Sequence, residues 1–405
     1  MAADYDVIVV GARCAGSPLA MLLARKGYRV LLVDRDRFPS DTVSSHQLFQ
    51  TGLARMQEWG LLQQLVDTGC PPLEKMIFDM GGTLIEGTPI PVDGVSVLYV
   101  PRRTVLDALL VKAAVEAGAD LEERCSVTGV VLDGERVAGV RVRRNGGPES
   151  QVTASLVVGA DGKNSIVARS VLAEKYRDEG TVTCSYYSYW SVDPAAVRNM
   201  ILAREDWGVA YGPTHDGLMI ANMSAHPSYL PEFRADLEGT FFRLLDSGAP
   251  DLAEALRDGN REERFRGLAE IPNFFRRSHG PGWALAGDAG YYRDPITAQG
   301  ISDAFRDADL LAGAIDDGLG GSVDIDASLA AYAARRDEES KPAFEWTLVS
   351  AKFISPHPRV RQLMRAIASD PGLSQKFVNL NPGLANHGEV ISGALEQITA
   401  ASGAT

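Results

Sequence analysis

Long apolar runs, clustered cysteines and an excess of basic charge are all missing from this 405-residue chain. Each absence removes a class of protein. The cysteines (Cys14, Cys70, Cys125 and Cys184) are scattered and form no C-x-x-C pair. That argues against a zinc ribbon or a disulfide framework, and free thiols fit a reducing cytoplasm. The histidines His46, His215, His226, His279, His357 and His387 show no ligand spacing, so no metal site is expected. No stretch reaches the ~20 apolar residues of a membrane span. The apolar segment Val7 to Ala24 is preceded by Asp4 and Asp6 and interrupted by Arg13, which is wrong for a signal peptide. A net charge of −13 and a pI near 5.0 argue against nucleic acid and against anionic membrane surfaces. There are no repeats and no low-complexity runs.

What is present is ordinary globular composition, 45% apolar and 23% charged, in a chain long enough for two cores. The start reads as a β-α-β unit. Tyr5 to Val10 is a buried strand, Gly11-Ala-Arg-Cys-Ala-Gly16 a tight loop, the residues to about Lys26 a helix, and Arg29 to Val33 a second strand closing on Asp34. The loop matches the dinucleotide-binding G-x-G-x-x-G at its first and third glycines, with Arg13 in place of the second. A guanidinium there can itself approach phosphates. Asp34 follows Gly16 by 18 residues, near the spacing of a ribose-binding acid.

Further along, the spacing predicts a helix from about Gly52 to Leu65. A hairpin over Met76 to Pro91 turns at Gly81-Gly82, and a strand is expected over Val95 to Val100. A helix from Pro101 to about Ala117 and a hairpin over Leu121 to Val142 come next, then Ser155 to Val158 leading into Gly159-Ala-Asp161-Gly162. From about Lys175 the texture becomes aromatic and strand-rich: Thr183 to Val192 carries Tyr186, Tyr187, Tyr189 and Trp190. Trp283 to Ala286 is a short apolar strand. It opens the segment Gly287-Asp-Ala-Gly-Tyr-Tyr-Arg-Asp-Pro-Ile-Thr-Ala-Gln-Gly300, which enters a helix expected to run to about Ile315. A helix N-terminus offers free N–H groups and partial positive charge, suited to an electron-rich ring, while Asp288 suits polyol hydroxyls.

The expected fold is α/β. A Rossmann-like FAD-binding domain, a parallel sheet plus a β-meander, takes residues 1–75, 100–175 and 280–315. A substrate domain on a mostly antiparallel sheet takes 76–99 and 176–279. A helical C-terminal segment covers 316–405.

The ordered triple of Gly11–Gly16 with Asp34, Gly159-Ala-Asp161-Gly162, and Gly287-Asp288 through Pro295 to Gly300 resembles the class A flavoprotein monooxygenases of the p-hydroxybenzoate hydroxylase type. The resemblance covers roughly residues 5 to 315. It implies that Gly11, Arg13, Cys14 and Gly16 line the FAD pyrophosphate. Asp34, with Arg35 beside it, would take the adenosine ribose. Arg103 would contact FAD from its helix start, and the Val127 backbone would lie near the adenine. Asp161 falls at a motif shared between FAD and pyridine nucleotide, Asp288 would bind the ribityl chain, and Pro295, Ala298, Gly300 and Ile301 would pack along the isoalloxazine ring. Two departures stand out: the motif at Asp161 ends Ser165-Ile-Val-Ala-Arg169 instead of Ser-x-x-Arg, and Ser45-His46 occupies a region where relatives carry an arginine. Both weaken direct reduction by NAD(P)H and leave room for a partner flavin reductase.

The implied chemistry is transfer of one oxygen from O2, through a flavin C4a-hydroperoxide, to an electron-rich aromatic or alkene carbon of a small-molecule substrate. The substrate pocket is expected at Tyr187, Tyr189, Trp190, Pro295 and Thr297, with His46 as the candidate acid–base residue. A flavin halogenase should carry W-x-W-x-I-P, and Tyr189-Trp-Ser-Val-Asp-Pro194 does not match. A geranylgeranyl-type reductase of isoprenoid double bonds and a non-catalytic flavin-binding protein remain the other readings.

Overall fold

The computed structural model describes residues 3–194 and 198–403. Its first sheet grows from the N-terminal β-α-β unit. Tyr5–Val10 is flanked by Val30–Val33 and Glu149–Gly159, and the sheet extends to Asp120–Glu122 on one side and Trp283–Leu285 on the other, all in parallel. Strands buried on both faces need continuous apolar sequence, and Val7, Ile8, Val9, Leu31, Leu32, Val157 and Val158 are all buried. Helices Gly16–Arg25, Arg103–Glu116 and Gly300–Leu319 cover one face. A β-meander covers the other: Cys125–Asp133 and Arg136–Arg144 pair antiparallel and hand over to Glu149–Gly159.

The second sheet runs in the order Asn260–Arg261, Cys184–Ser191, Met219–Ala225, Trp207–Pro213, Met200–Ala203, Met76–Met80, Leu84–Gly87. Only Met76–Met80 and Met200–Ala203 pair in parallel; the rest are antiparallel. Alternation along Cys184–Ser191 divides its aromatics. Trp190 joins helices Leu237–Gly248 and Pro250–Asp258 on the outer face, while Tyr187 and Tyr189 join the inner cluster.

Three expectations need correction. The helix expected over Gly52 to Leu65 is two, Gln50–Glu58 and Leu62–Val66, because Gly60 takes φ +77° between them. Val95 to Val100 is not a strand. It makes isolated bridges only, Val95 to Val92, Leu98 to Leu73 and Tyr99 to Leu48, so its neighbours change from residue to residue and no ladder propagates. The helix expected to end near Ile315 continues to Leu319.

The C-terminal segment is part of the core. Helix Ile325–Ser350 packs along Gly300–Leu319, and Pro358–Ser369, Pro371–Val378 and His387–Gly403 close over the inner face of the second sheet. Among the described residues no helix is long and apolar enough to cross a membrane.

Candidate functional site

Two cavities meet where the sheets face each other. The first is a cleft of about 680 Å³ along the carboxyl ends of the parallel strands, where open α/β sheets place their ligands. The three sequence motifs converge on it. Gly11 has φ +102°, and a Cβ there would stand 2.5 Å from the Ala160 carbonyl oxygen. The first motif therefore packs directly on the second. A Cβ on Gly16 would stand 1.8 Å from the Gly11 carbonyl oxygen.

Asp34 ties this loop to its strand. Its carboxylate accepts from the Ala12 N–H at 2.7 Å and the Asp36 N–H at 2.9 Å. Burial pushes the carboxyl up, and those donors oppose the shift. Arg35 and Val127 line the same end of the cleft.

Asp107 is the residue that the sequence reading passed over. It is fully buried and accepts from three sides. Arg103, one turn earlier on the same helix, meets it in a fork at 2.9–3.0 Å. Arg13 donates to it at 2.6 Å, and the Cys14 thiol donates at 3.3 Å. Arg13 also reaches Asp36 at 3.0 Å and Ser40 at 3.0 Å, and lies over the Phe38 ring. Burial alone would lower both guanidinium pKa values, but the Asp107 carboxylate outweighs it and raises both. The Cys14 thiol is raised by burial. The signal was available: Arg103 and Asp107 stand at i and i+4 on a helix that starts beside the glycine loop.

Asp161 accepts from the Ile166 N–H at 2.6 Å through one oxygen, while its other oxygen is buried with no partner. Burial raises it. Asp288 lies open to the cleft, and among the described residues no donor is hydrogen-bonded to its carboxylate. Protein encloses it on every other side, and that loss of solvent lifts it to about 6 against the pull of Arg103.

Helix Gly300–Leu319 begins at the cleft wall with Gly300 and Ile301. The preceding turn is pinned by Asp294, whose carboxylate accepts from the Ile296 N–H at 3.0 Å and from the Thr183 hydroxyl. Burial lifts that carboxyl to about 6.

The donor set fits FAD. Arg13 and Arg103 stand near a glycine loop that no side chain can fill, for a diphosphate. Asp34 and the unpaired Asp288 suit ribose and polyol hydroxyls, and a 20-residue helix starts at the ring end.

The second cavity is an apolar chamber of about 400 Å³ between the inner face of the second sheet and the C-terminal helices. Phe78, Ile201, Ile220, Met364 and Phe377 are among its walls. Ser45, Asn222 and Pro295 line both cavities, so the two join there.

Of the expected pocket residues, Pro295 and Tyr187 reach a cavity wall, and Ala298 lines the chamber rather than the cleft. Tyr189, Trp190 and Thr297 line neither cavity. Trp190 points outward and stacks on Phe241 at 5.7 Å. Thr297 faces Thr347 at 2.9 Å on the Ile325–Ser350 helix.

His46 also reaches neither cavity, which removes the geometry needed for an acid–base role. Its Nδ1 lies 2.8 Å from the Ser44 carbonyl and so carries the proton, and its Nε2 accepts from the Tyr189 hydroxyl at 2.7 Å. Burial, helped by Arg103, lowers it to about 3, so it is neutral at ordinary pH. Together with Tyr187 and Tyr189 it forms an edge-to-face cluster that fixes the loop carrying Ser45.

Comparison with known proteins agrees with this geometry. A family model described as FAD binding domain matches residues 4–237, more than half of the chain. Digeranylgeranylglycerophospholipid reductase 2 of Methanopyrus kandleri is 27% identical over 372 residues, covering 87% of each chain. Tryptophan 2-halogenase of Chondromyces crocatus is 23% identical, covering 87% of this chain and 68% of that protein. Among solved structures, the myxobacterial FAD-dependent halogenase CndH superposes with a TM-score of 0.79 over 95% of this chain and 91% of its own, at 24% identity. PqsL, a probable FAD-dependent monooxygenase from Pseudomonas aeruginosa, superposes with a TM-score of 0.72 over 92% and 99%, at 22% identity.

Proposed function

The chain belongs to the FAD binding domain family and is an FAD-dependent oxidoreductase; from that premise we propose that it is a monooxygenase acting on an apolar small molecule. The observation that carries this reading is the junction at Ser45, Asn222 and Pro295, where a polar cofactor cleft opens into an apolar chamber. Bound FAD would supply O2 activation. The chain's own part is binding, orientation and exclusion of water.

Gly11, Arg13, Cys14 and Gly16, with Arg103, hold the diphosphate. Asp34 and Arg35 hold the adenosine end, beside the Val127 strand. Asp161 packs beside Gly11, and Asp288 would take the ribityl hydroxyls. The N–H groups at Gly300 and Ile301, at the helix start on the cleft wall, would meet the ring end. Pro295 separates ring from substrate, and Ala298 extends that wall into the chamber. Tyr187 closes the cleft side.

The apolar chamber keeps water from the activated oxygen, which otherwise escapes as peroxide. The acid next to the junction, Asp294, is committed to the Thr183 hydroxyl and the Ile296 N–H, so the oxygen acceptor is a carbon that needs no proton removed first, such as an alkene or an electron-rich ring. The reduced flavin comes from NAD(P)H or through a partner flavin reductase. The late Arg169 favours the partner, and slow flavin bleaching by NADPH alone would agree with it.

A second reading, reduction of a carbon–carbon double bond, is favoured by the digeranylgeranylglycerophospholipid reductase that matches over 87% of both chains. Incubating reduced holoprotein with alkene and arene panels under isotopically labelled O2 separates the two. Label in the product supports the monooxygenase, and saturated product formed without O2 supports the reductase.

A further inference from the structure

The chamber has a distinct mouth, and the one charged side chain among the described residues lining it is Lys352. Of the residues lining the chamber, those exposed to solvent are Val349, Lys352, Ser355, His387 and Ile391. All come from the C-terminal helices and the loop between two of them. The junction with the cleft, at Ser45, Asn222 and Pro295, is lined instead by partly buried residues. The chamber therefore opens to solvent through the C-terminal segment and to the cofactor cleft at Pro295.

The chain as a whole carries −13. Yet residues 346–369, which run from the chamber wall around the mouth, hold Lys352, Arg359, Arg361 and Arg365 and no carboxylate. All four are exposed, and none of the four has an ion-pair partner among the described residues. The neighbouring basic side chains Arg177 and Lys376 are ion-paired, to Glu345 and Glu389, whereas these four lie in one stretch without a pair. Val360 and Met364 line the chamber, whereas Arg361 and Arg365, one turn apart on the flank of the same helix, are exposed and do not line it. Lys352 itself lines the chamber.

We propose that the substrate is an amphiphile with an anionic head, its apolar body in the chamber and its carboxylate or phosphate held at the mouth by Lys352. This rests on the reading of the chamber as the substrate site. A cationic rim on a low-dielectric pocket concentrates anionic ligands and orients them head outward. The carbon presented to the cofactor cleft is then the one remote from the head. Arg359, Arg361 and Arg365 add to the field without lining the chamber.

The test is equilibrium binding to the FAD-loaded protein, read by calorimetry without turnover. The probes are decanoate, decyl phosphate and the neutral methyl decanoate. At low salt both anions bind about tenfold more tightly than the ester, and the preference shrinks as salt rises. Lys352→Glu abolishes the preference, Arg361→Glu with Arg365→Glu weakens it, and both leave the visible flavin spectrum unchanged. The milder Lys352→Gln halves the preference without reversing charge. Phosphate over carboxylate, or the reverse, identifies the head. Equal binding of ester and anions, no binding of any probe, or a preference that survives Lys352→Glu overturns the proposal. Because no oxygen transfer is read, a failure of the monooxygenase reading leaves this result standing, and the converse also holds.

Discussion

The cofactor cleft and the apolar chamber lie side by side, yet they are built on opposite terms. The cleft is made of backbone that only glycine tolerates and of charges set against one another, Arg13 and Arg103 against Asp107. The chamber is made of side chains from segments as distant as Ser45 and Ile391, and most of its wall is apolar. A phosphate-rich ligand requires a few atoms at fixed places. An apolar substrate requires only that enough carbon surround it. The first demand constrains residues one by one, and the second constrains a sum.

That contrast predicts very different tolerance to change. Gly16→Val is expected to have the largest effect, because its Cβ would collide with the Gly11 carbonyl oxygen, which has no room to move. The variant should purify without flavin, checked by the ratio of visible to protein absorbance. Next comes Asp107→Asn, which leaves Arg13 and Arg103 without their buried counter-charge. A loss of roughly 3–5 kcal/mol in the apoprotein is expected, measured by denaturant unfolding. Added FAD should restore part of it, since its phosphates replace the missing carboxylate. If FAD restores none, the two arginines do not face the diphosphate.

The third prediction concerns pH. The Asp288 carboxyl is raised from 3.8 to about 6, so this group stabilises the apoprotein fully below about 4 and loses that contribution as pH rises through 6. FAD works the other way: ribityl hydroxyls donate to the charged form. FAD affinity should therefore fall as pH drops below 6, by up to about tenfold per unit, and Asp288→Asn should flatten the profile. A profile unchanged by that substitution removes Asp288 from the ribityl site.

On the chamber side, Ile220→Trp should weaken substrate binding with FAD affinity unaltered, at a folding cost of about 1–3 kcal/mol from overpacking. The smallest effect is expected from Tyr189→Phe, which removes one hydrogen bond to His46 and should cost about 1 kcal/mol. Turnover should hold, because His46 supports a loop and touches neither cavity; a collapse of kcat would reinstate it as a participant.

The same contrast explains what could be read from the sequence. Gly11, Asp34, Asp161, Asp288 and Gly300 stand at strand ends and helix starts, where local spacing reports position, and the structure brings them to one cleft, with Gly16 packed against Gly11. The α/β class and the split between a parallel and a mostly antiparallel sheet were legible for the same reason. His46 misled because a lone histidine near a cofactor loop looks reactive, and only its buried contacts with Ser44 and Tyr189 show otherwise. Trp190 misled because alternation tells which residues share a face but not which face meets the cavity. The C-terminal helices read as a tail, since nothing in Met364, Phe377 or Val390 distinguishes a cavity wall from an ordinary core. Asp107 was hidden by looking like one more helix-surface acid.

The central claim is that a dry chamber receives oxygen from a flavin held in the adjoining cleft. It is tested most directly by reducing the FAD-loaded protein under argon and mixing it rapidly with oxygenated buffer. A transient spectrum that is neither oxidised nor reduced flavin, lasting longer in the wild type than after a polar substitution such as Ile220→Asp, is the predicted result. Immediate return to the oxidised spectrum with one peroxide released per flavin, in both proteins alike, would contradict it.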